Sequence, residues 1–212
     1  MRFLTLAAAI GAALLLFLGS AVWLIHASSR GPASFIVADV LIGTQQLQID
    51  SRFTRSPAGP LHRSYDDLDL LVALPDFSPA GERAHQLPLE ALLTITLRPK
   101  DIRLEPRDKV ARLFARYLET KAHGGDGGLV MRRFQEASPF AGEEIFMTPP
   151  EGRLFWARCS QASSDADAQR RICLSEIRYG ALDLRLRFSA IHLAKWEELT
   201  ASTSQLLASL SR

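Results

Sequence analysis

From Leu4 to Ile25 the chain carries no charged side chain, and only Thr5 and Ser20 are polar. A helix of that length, at 1.5 Å per residue, is about 33 Å long and matches the ~30 Å hydrocarbon core of a bilayer. The apolar region of a cleavable signal peptide is only about 7–15 residues, so the run reads as an uncleaved anchor. Trp23 and His26 stand at its far end, where an amphipathic ring prefers the headgroup level. The small-residue triplets Gly19-Ser20-Ala21 and Ala27-Ser28-Ser29 keep a second outcome open, removal as a signal. A helix apolar on every side finds no cover in a soluble core of this size.

Orientation rests on less. Arg2 and the terminal amine precede the run and Arg30 follows it, a near tie in positive charge. A short leading tail with the bulk of the chain behind it fits a signal-anchor with an exported domain. The expected division is a tail at 1–3, a transmembrane signal-anchor helix at 4–26, a linker at 27–34 and an exported domain at 35–212. Membrane lipid is then the first partner, through residues 4–26. No cysteine follows the run until Cys159, which leaves no site for lipid attachment just behind it. The expected location is the bacterial inner membrane with the domain in the periplasm, or the periplasm itself after cleavage.

Composition excludes several classes. Hydrophobic residues make up 47% and charged residues 23% of 212, which rules out wholesale disorder and collagen. The formal net charge of +2 gives no electrostatic case for nucleic acid. Of the 25 basic residues 21 are Arg, a bias associated with GC-rich bacterial genomes.

The two cysteines, Cys159 and Cys173, each fall in a strand-like run, with a polar loop between them. A hairpin would set them opposite each other, and a bridge there would persist in an oxidising compartment. Without a C-x-x-C spacing a redox pair is disfavoured, and two thiolates without nearby His fall short of a zinc site.

Period-two alternation marks strands at 45–53 (Leu47, Ile49 and Phe53 on one face), 67–74, 93–98 and 182–188. Phe35 to Ile42 reads as a buried strand or a post-membrane linker. Further strands are expected at 129–134, 144–148, 153–160 and 172–179, and the stretch 75–90 as a loop. A helix is expected from Pro106, with Val110, Leu113, Phe114, Tyr117 and Leu118 as one stripe, ending at the His123-Gly-Gly-Asp-Gly-Gly run. A second helix is expected from Ser189 or Ala190, with Leu193, Trp196, Leu199, Thr203, Leu206, Leu207 and Leu210 as its apolar stripe. The fold expected is α+β: a mostly antiparallel sheet of about six to eight strands with two helices on one face, preceded by one N-terminal transmembrane helix.

No motif calls for a cofactor or a metal. The glycine run at 124–128 follows a helix instead of leading into one, which is the wrong order for a phosphate cradle. The basic residues Lys109, Arg112 and Arg116 on the first helix, and Arg185 and Arg187 on the last strand, are the candidate contacts for an anionic or acidic ligand. A solvated helix face paired with carboxylates is the plainer account of the first three, and the wet face of the sheet that of Arg185 and Arg187. The functional expectation is a non-catalytic binding or scaffolding domain that meets an envelope protein. The alternative is an envelope-acting hydrolase using paired carboxylates, Glu143/Glu144 or Asp67/Asp69.

Overall fold

In the computed structural model residues 35–55, 61–162 and 171–211 are described. The expected span at 4–26, its linker at 27–34 and the turn at 56–60 lie outside them. Among the described residues no helix is long and apolar enough to cross a membrane.

Strands β1 (Val37–Ile42) and β2 (Gln45–Asp50) form an antiparallel hairpin, and β3 (Ser64–Tyr65) adds to β1 in parallel. The second sheet holds β4 (Leu68–Ala73), β5 (Ser78–Pro79), β6 (Leu92–Pro99), β7 (Leu118–Gly124), β8 (Val130–Phe134), β9 (Glu143–Met147), β10 (Trp156–Ser160), β11 (Ile172–Tyr179) and β12 (Leu182–Ser189). Its nine strands run β5-β4-β6-β12-β11-β10-β9-β8-β7. Every pairing within it is antiparallel. Helix α1 (Trp196–Leu210) closes the chain after a 3-10 segment over Ala190–Lys195.

Alternation decides the layering. Leu182, Leu184, Leu186 and Phe188 of β12 are buried, as are Leu93, Ile95 and Leu97 of β6 and Leu68, Leu70 and Val72 of β4. They meet Val40 and Ile42 of β1, Leu47 and Ile49 of β2, and Leu199 and Leu207 of α1 in the main core. The small sheet and α1 therefore cover one face of the large sheet, and a bridge between Leu47 and Ser211 joins β2 to the end of α1.

The expected fold class holds as α+β with a mostly antiparallel sheet. Its strand count does not: twelve strands are present among the described residues, in sheets of nine and three. The two-residue β3 and β5 are too short to show a period. β7 was hidden inside the expected first helix. That helix spans only Pro106–Tyr117 and changes pitch twice, a 3-10 turn at Pro106–Asp108, a π turn at Val110–Phe114 and a 3-10 turn at Ala115–Tyr117. From Leu118 the chain pairs with β8, with Leu118 opposite Phe134. Edge strand β7 is mostly exposed and carries Glu119, Thr120 and Lys121, so no apolar alternation betrays it.

The two helical segments also lie on opposite faces, not one. Along β10, Phe155, Ala157 and Cys159 point into the main core, while Trp156 points the other way. There Trp156 packs with Ile145 and Met147 of β9 against Val110 and Phe114 of the first helical segment. Val110, Leu113, Phe114 and Tyr117 of the expected stripe are helical, Leu118 already belongs to β7, and nothing in the spacing says which side of a sheet the stripe will meet.

The glycine run is a packing device. Gly127 adopts φ 64°, and a Cβ there would stand 2.9 Å from the carbonyl oxygens of Leu193 and Ala194. Its own carbonyl accepts from the Trp196 indole at 3.0 Å, and Trp196 stacks on Phe155 with ring centroids 5.1 Å apart.

Asp50 ends β2 and caps the turn Ser51–Phe53. Its carboxylate accepts from the Arg52 backbone N–H at 2.9 Å and from Arg52 Nε at 2.8 Å. Burial pushes the carboxyl up, but the Arg52 side chain and backbone N–H outweigh it and hold it below the ordinary range. A folded-state value below the unfolded one of about 3.9 adds stability that is complete above that pH and is lost as pH falls through the folded value. Asp50→Asn is expected to lower the melting temperature at neutral and alkaline pH and to flatten the curve below about pH 4, where the difference from the native chain closes.

Cys159 and Cys173 form the expected disulfide, directly opposite across β10 and β11 with Cα atoms 4.0 Å apart. Both are fully buried. Replacing both with alanine is expected to lower unfolding free energy by about 3 kcal/mol, the loop-entropy value for a closure of ~15 residues, read as a shift in urea midpoint.

Candidate functional site

The second face of the nine-stranded sheet is covered at its two flanks and open in the middle. At one flank the Pro106–Tyr117 segment sits over Trp156, Ile145 and Met147. At the other, the 75–90 loop covers Leu71 and Ala73 through Ala80, Ala84 and Leu87. The strip between them carries the polar positions of β6, β12 and β11, because strands that send leucine to the core must send alternate residues here.

Three cross-strand rows make up this floor. In the first, Arg98, Asp183 and Arg178 stand side by side. In the second, Asp69, Thr96, Arg185 and Glu176 do so. In the third, Leu71, Thr94, Arg187, Leu174 and Arg158 follow one another. The first two rows largely neutralise themselves. Arg178 Nε donates to Asp183 at 2.8 Å, and its Nη2 donates to the Asp101 carbonyl at 2.7 Å. The Asp183 hydrogen bond raises Arg178 above its ordinary range against the opposing effect of burial. Lys109 reaches across from the helical segment to Glu176, and Arg185 lies 3.8 Å from the same carboxylate.

Of the five basic residues picked out from sequence, the structure thus brings Lys109 and Arg185 together on Glu176. Arg187 lies one row along β12, exposed, between Thr94 and Leu174. Arg112 and Arg116 are exposed on the helical segment, with the Arg116 guanidinium 4.7 Å from the Tyr117 ring centre. Sequence reasoning missed Arg178. The signal was present in β11, where Leu174, Glu176 and Arg178 share one face, but it shows only once β11 is paired with β12.

Two clefts open on this side and share Glu176. One, of about 440 Å³, is lined by Glu105, Arg107, Arg153, Leu154, Trp156 and Arg178 among others. The other, of about 350 Å³, is lined by Asp66, Arg98, Asp101, Lys109, Asp183 and Arg185. Leu154 on the first cleft is 78% exposed, and Ile102, three residues before Glu105, is 86% exposed. Leucine and isoleucine held out in water beside guanidinium groups form a surface suited to a protein partner with apolar and carboxylate groups.

Of the two carboxylate pairs in the alternative reading, Glu143 and Glu144 do not share a site. Neighbouring residues on a strand face opposite ways, and Glu143 and Glu144 do so on β9. Glu143 pairs with Arg158 at 2.8 Å, on the side where Arg158 stacks against Phe140. Glu144 is buried on the other side, held by Arg171 at 2.9 Å and Arg133 at 3.3 Å. Asp69 accepts from the Thr96 hydroxyl at 2.7 Å, and Asp67 is exposed just before β4. Among the described residues no three of His, Cys, Asp and Glu converge where a metal ion could sit.

Trp156 fixes the wall of the larger cleft. It is buried, and its indole N–H donates to the Pro106 carbonyl at 2.7 Å. Trp156→Phe keeps an aromatic ring and removes this hydrogen bond while the Lys109 N–H still donates to the same carbonyl, so a loss of about 0.5–1.5 kcal/mol is expected in denaturant unfolding.

No protein-family model matches the sequence, and no curated protein matches it. The fold is similar to that of an immunity protein of the type IV secretion system of Stenotrophomonas maltophilia. The TM-score is 0.63 at 15% identity, and the match covers 86% of this chain and 98% of that one.

Proposed function

We propose that this chain is a single-pass protein of the bacterial inner membrane, held by residues 4–26, whose periplasmic domain binds a secreted or envelope protein. The observation that carries the reading is the likeness, over 86% of this chain, to an immunity protein of a secretion system. The Cys159–Cys173 bridge supports the compartment, since such bonds persist where the surroundings oxidise. The binding surface in this reading is the larger cleft, lined by Leu154, Arg107, Arg153 and Arg178, together with exposed Ile102 on the loop that Arg178 holds through the Asp101 carbonyl. Burying two exposed aliphatic side chains supplies the apolar centre of such a contact, and the guanidiniums at its edge select carboxylates. Lys109 and Arg185 contribute to the neighbouring strip, already tied to Glu176.

Purification of the full-length chain from membranes in mild detergent tests the reading. A protein partner is expected to co-purify in fixed proportion, and Leu154→Asp is expected to release it while the thermal unfolding of the domain stays unchanged. A chain recovered strictly alone under these conditions overturns the binding reading. Thiol labelling in intact cells addresses the compartment: both cysteines are expected oxidised and unreactive, and reduced cysteines on a freely soluble cytosolic protein overturn it.

A further inference from the structure

The apolar side chains left in water are unevenly placed. Ile102, Leu154 and Ile191 stand apart from one another in sequence, but Phe35, Ile36, Val37 and Leu41 crowd the start of the domain. Phe35 and Val37 are each 54% exposed. They are also held in place. The Ile36 backbone donates to Ser51 Oγ at 3.0 Å and accepts from the Ser51 N–H at 2.8 Å, which fixes the approach to β1. The Arg52 guanidinium lies 4.1 Å from the Phe35 ring centre.

Charge around the patch is balanced. Arg52 is paired with Asp50 at 2.5 Å. Beside Leu41 a groove of about 450 Å³ is lined by Asp39 and Arg63, one charge of each sign, with Gln46 between strands. Such a surface gains from apolar contact and has no strong preference for anionic groups.

Chain length says what can cover it. The proposed span ends at residue 26 and the domain begins at Phe35, so the eight residues 27–34 join them. Fully extended they reach no more than ~29 Å. With residues 4–26 lodged in the bilayer, as proposed above, a patch within that reach of the span stays near the bilayer surface. We infer that Phe35, Val37 and Leu41 on β1 rest in the headgroup region of a zwitterionic phospholipid bilayer and set the orientation of the domain on the membrane. The inference rests on the anchor proposed above. Exposed aromatic and aliphatic groups beside a paired arginine are suited to that layer, where the ring and alkyl parts are buried and the charged ends stay wet.

The test uses the full-length chain in phosphatidylcholine nanodiscs. An environment-sensitive fluorophore is placed at Val37→Cys or Leu41→Cys, with Leu154→Cys as the control in the partner cleft; the native cysteines are bonded to each other. Quenching by doxyl-labelled lipid is expected to be several-fold greater at positions 37 and 41 than at 154. Leu41→Glu is expected to lower the quenching at position 37, and raising the salt concentration is expected to leave it unchanged. A chain retained in the discs with equal quenching at all three positions overturns the inference and leaves the anchor standing. A chain not retained in the discs overturns both. Cross-linking between copies at position 41, with quenching at the level of position 154, overturns it in favour of a second copy of the chain.

Discussion

The β11–β12 hairpin imposes a constraint that the rest of the molecule answers. Its eight paired positions send Leu182, Leu184, Leu186 and Phe188 to one side and Asp183, Arg185 and Arg187 to the other. Because it lies near the middle of a nine-stranded sheet, its apolar side needs a full cover, and the small sheet with α1 provides it. Its polar side cannot be covered by anything apolar. The helical segment and the 75–90 loop stop at the flanks, over Trp156 and over Leu71, and leave the strip of salt bridges open. The open strip and its clefts thus follow from where leucine alternates with arginine in one hairpin.

The ion pairs on that strip are better read as a scaffold than as free anion receptors. Arg178 donates to Asp183 and to the Asp101 carbonyl, so it ties the loop after β6 to the hairpin. Lys109 on Glu176 ties the helical segment to the same strands. Surface pairs of this kind contribute little stability each, but they set the position of two loops relative to a sheet. Those loops carry Ile102 and the cleft wall at Glu105, so the charged residues hold the apolar ones out.

Much of this was legible in the sequence. The alternation in β2, β4, β6 and β12, the stripe of α1 and the cysteine hairpin follow from residue spacing alone, because each element sends a regular set of apolar side chains into the main core. What could not be read has physical causes. β7 sits at an edge with polar side chains on both sides, so its pairing with β8 leaves no periodic mark. The stripe Val110, Leu113, Phe114 and Tyr117 fits a helix, but the sheet face it covers depends on Trp156 pointing opposite to Phe155. Lys109 and Arg185 were singled out as basic residues, yet their shared carboxylate, Glu176, becomes a neighbour only through strand register. The glycine run, expected only to end the first helix, admits the backbone of residues 193–194 at close range.

The bond between Cys159 and Cys173 shuts the chain at the point where it leaves β10 and returns as β11. The two sulfurs fix one rung of the β10–β11 ladder covalently. A slip of one residue between these strands would have to break that bond as well as the ladder, and it would turn every inward side chain outward. The partition of side chains between the main core and the polar strip is thus held by a bond that heat and denaturant leave intact.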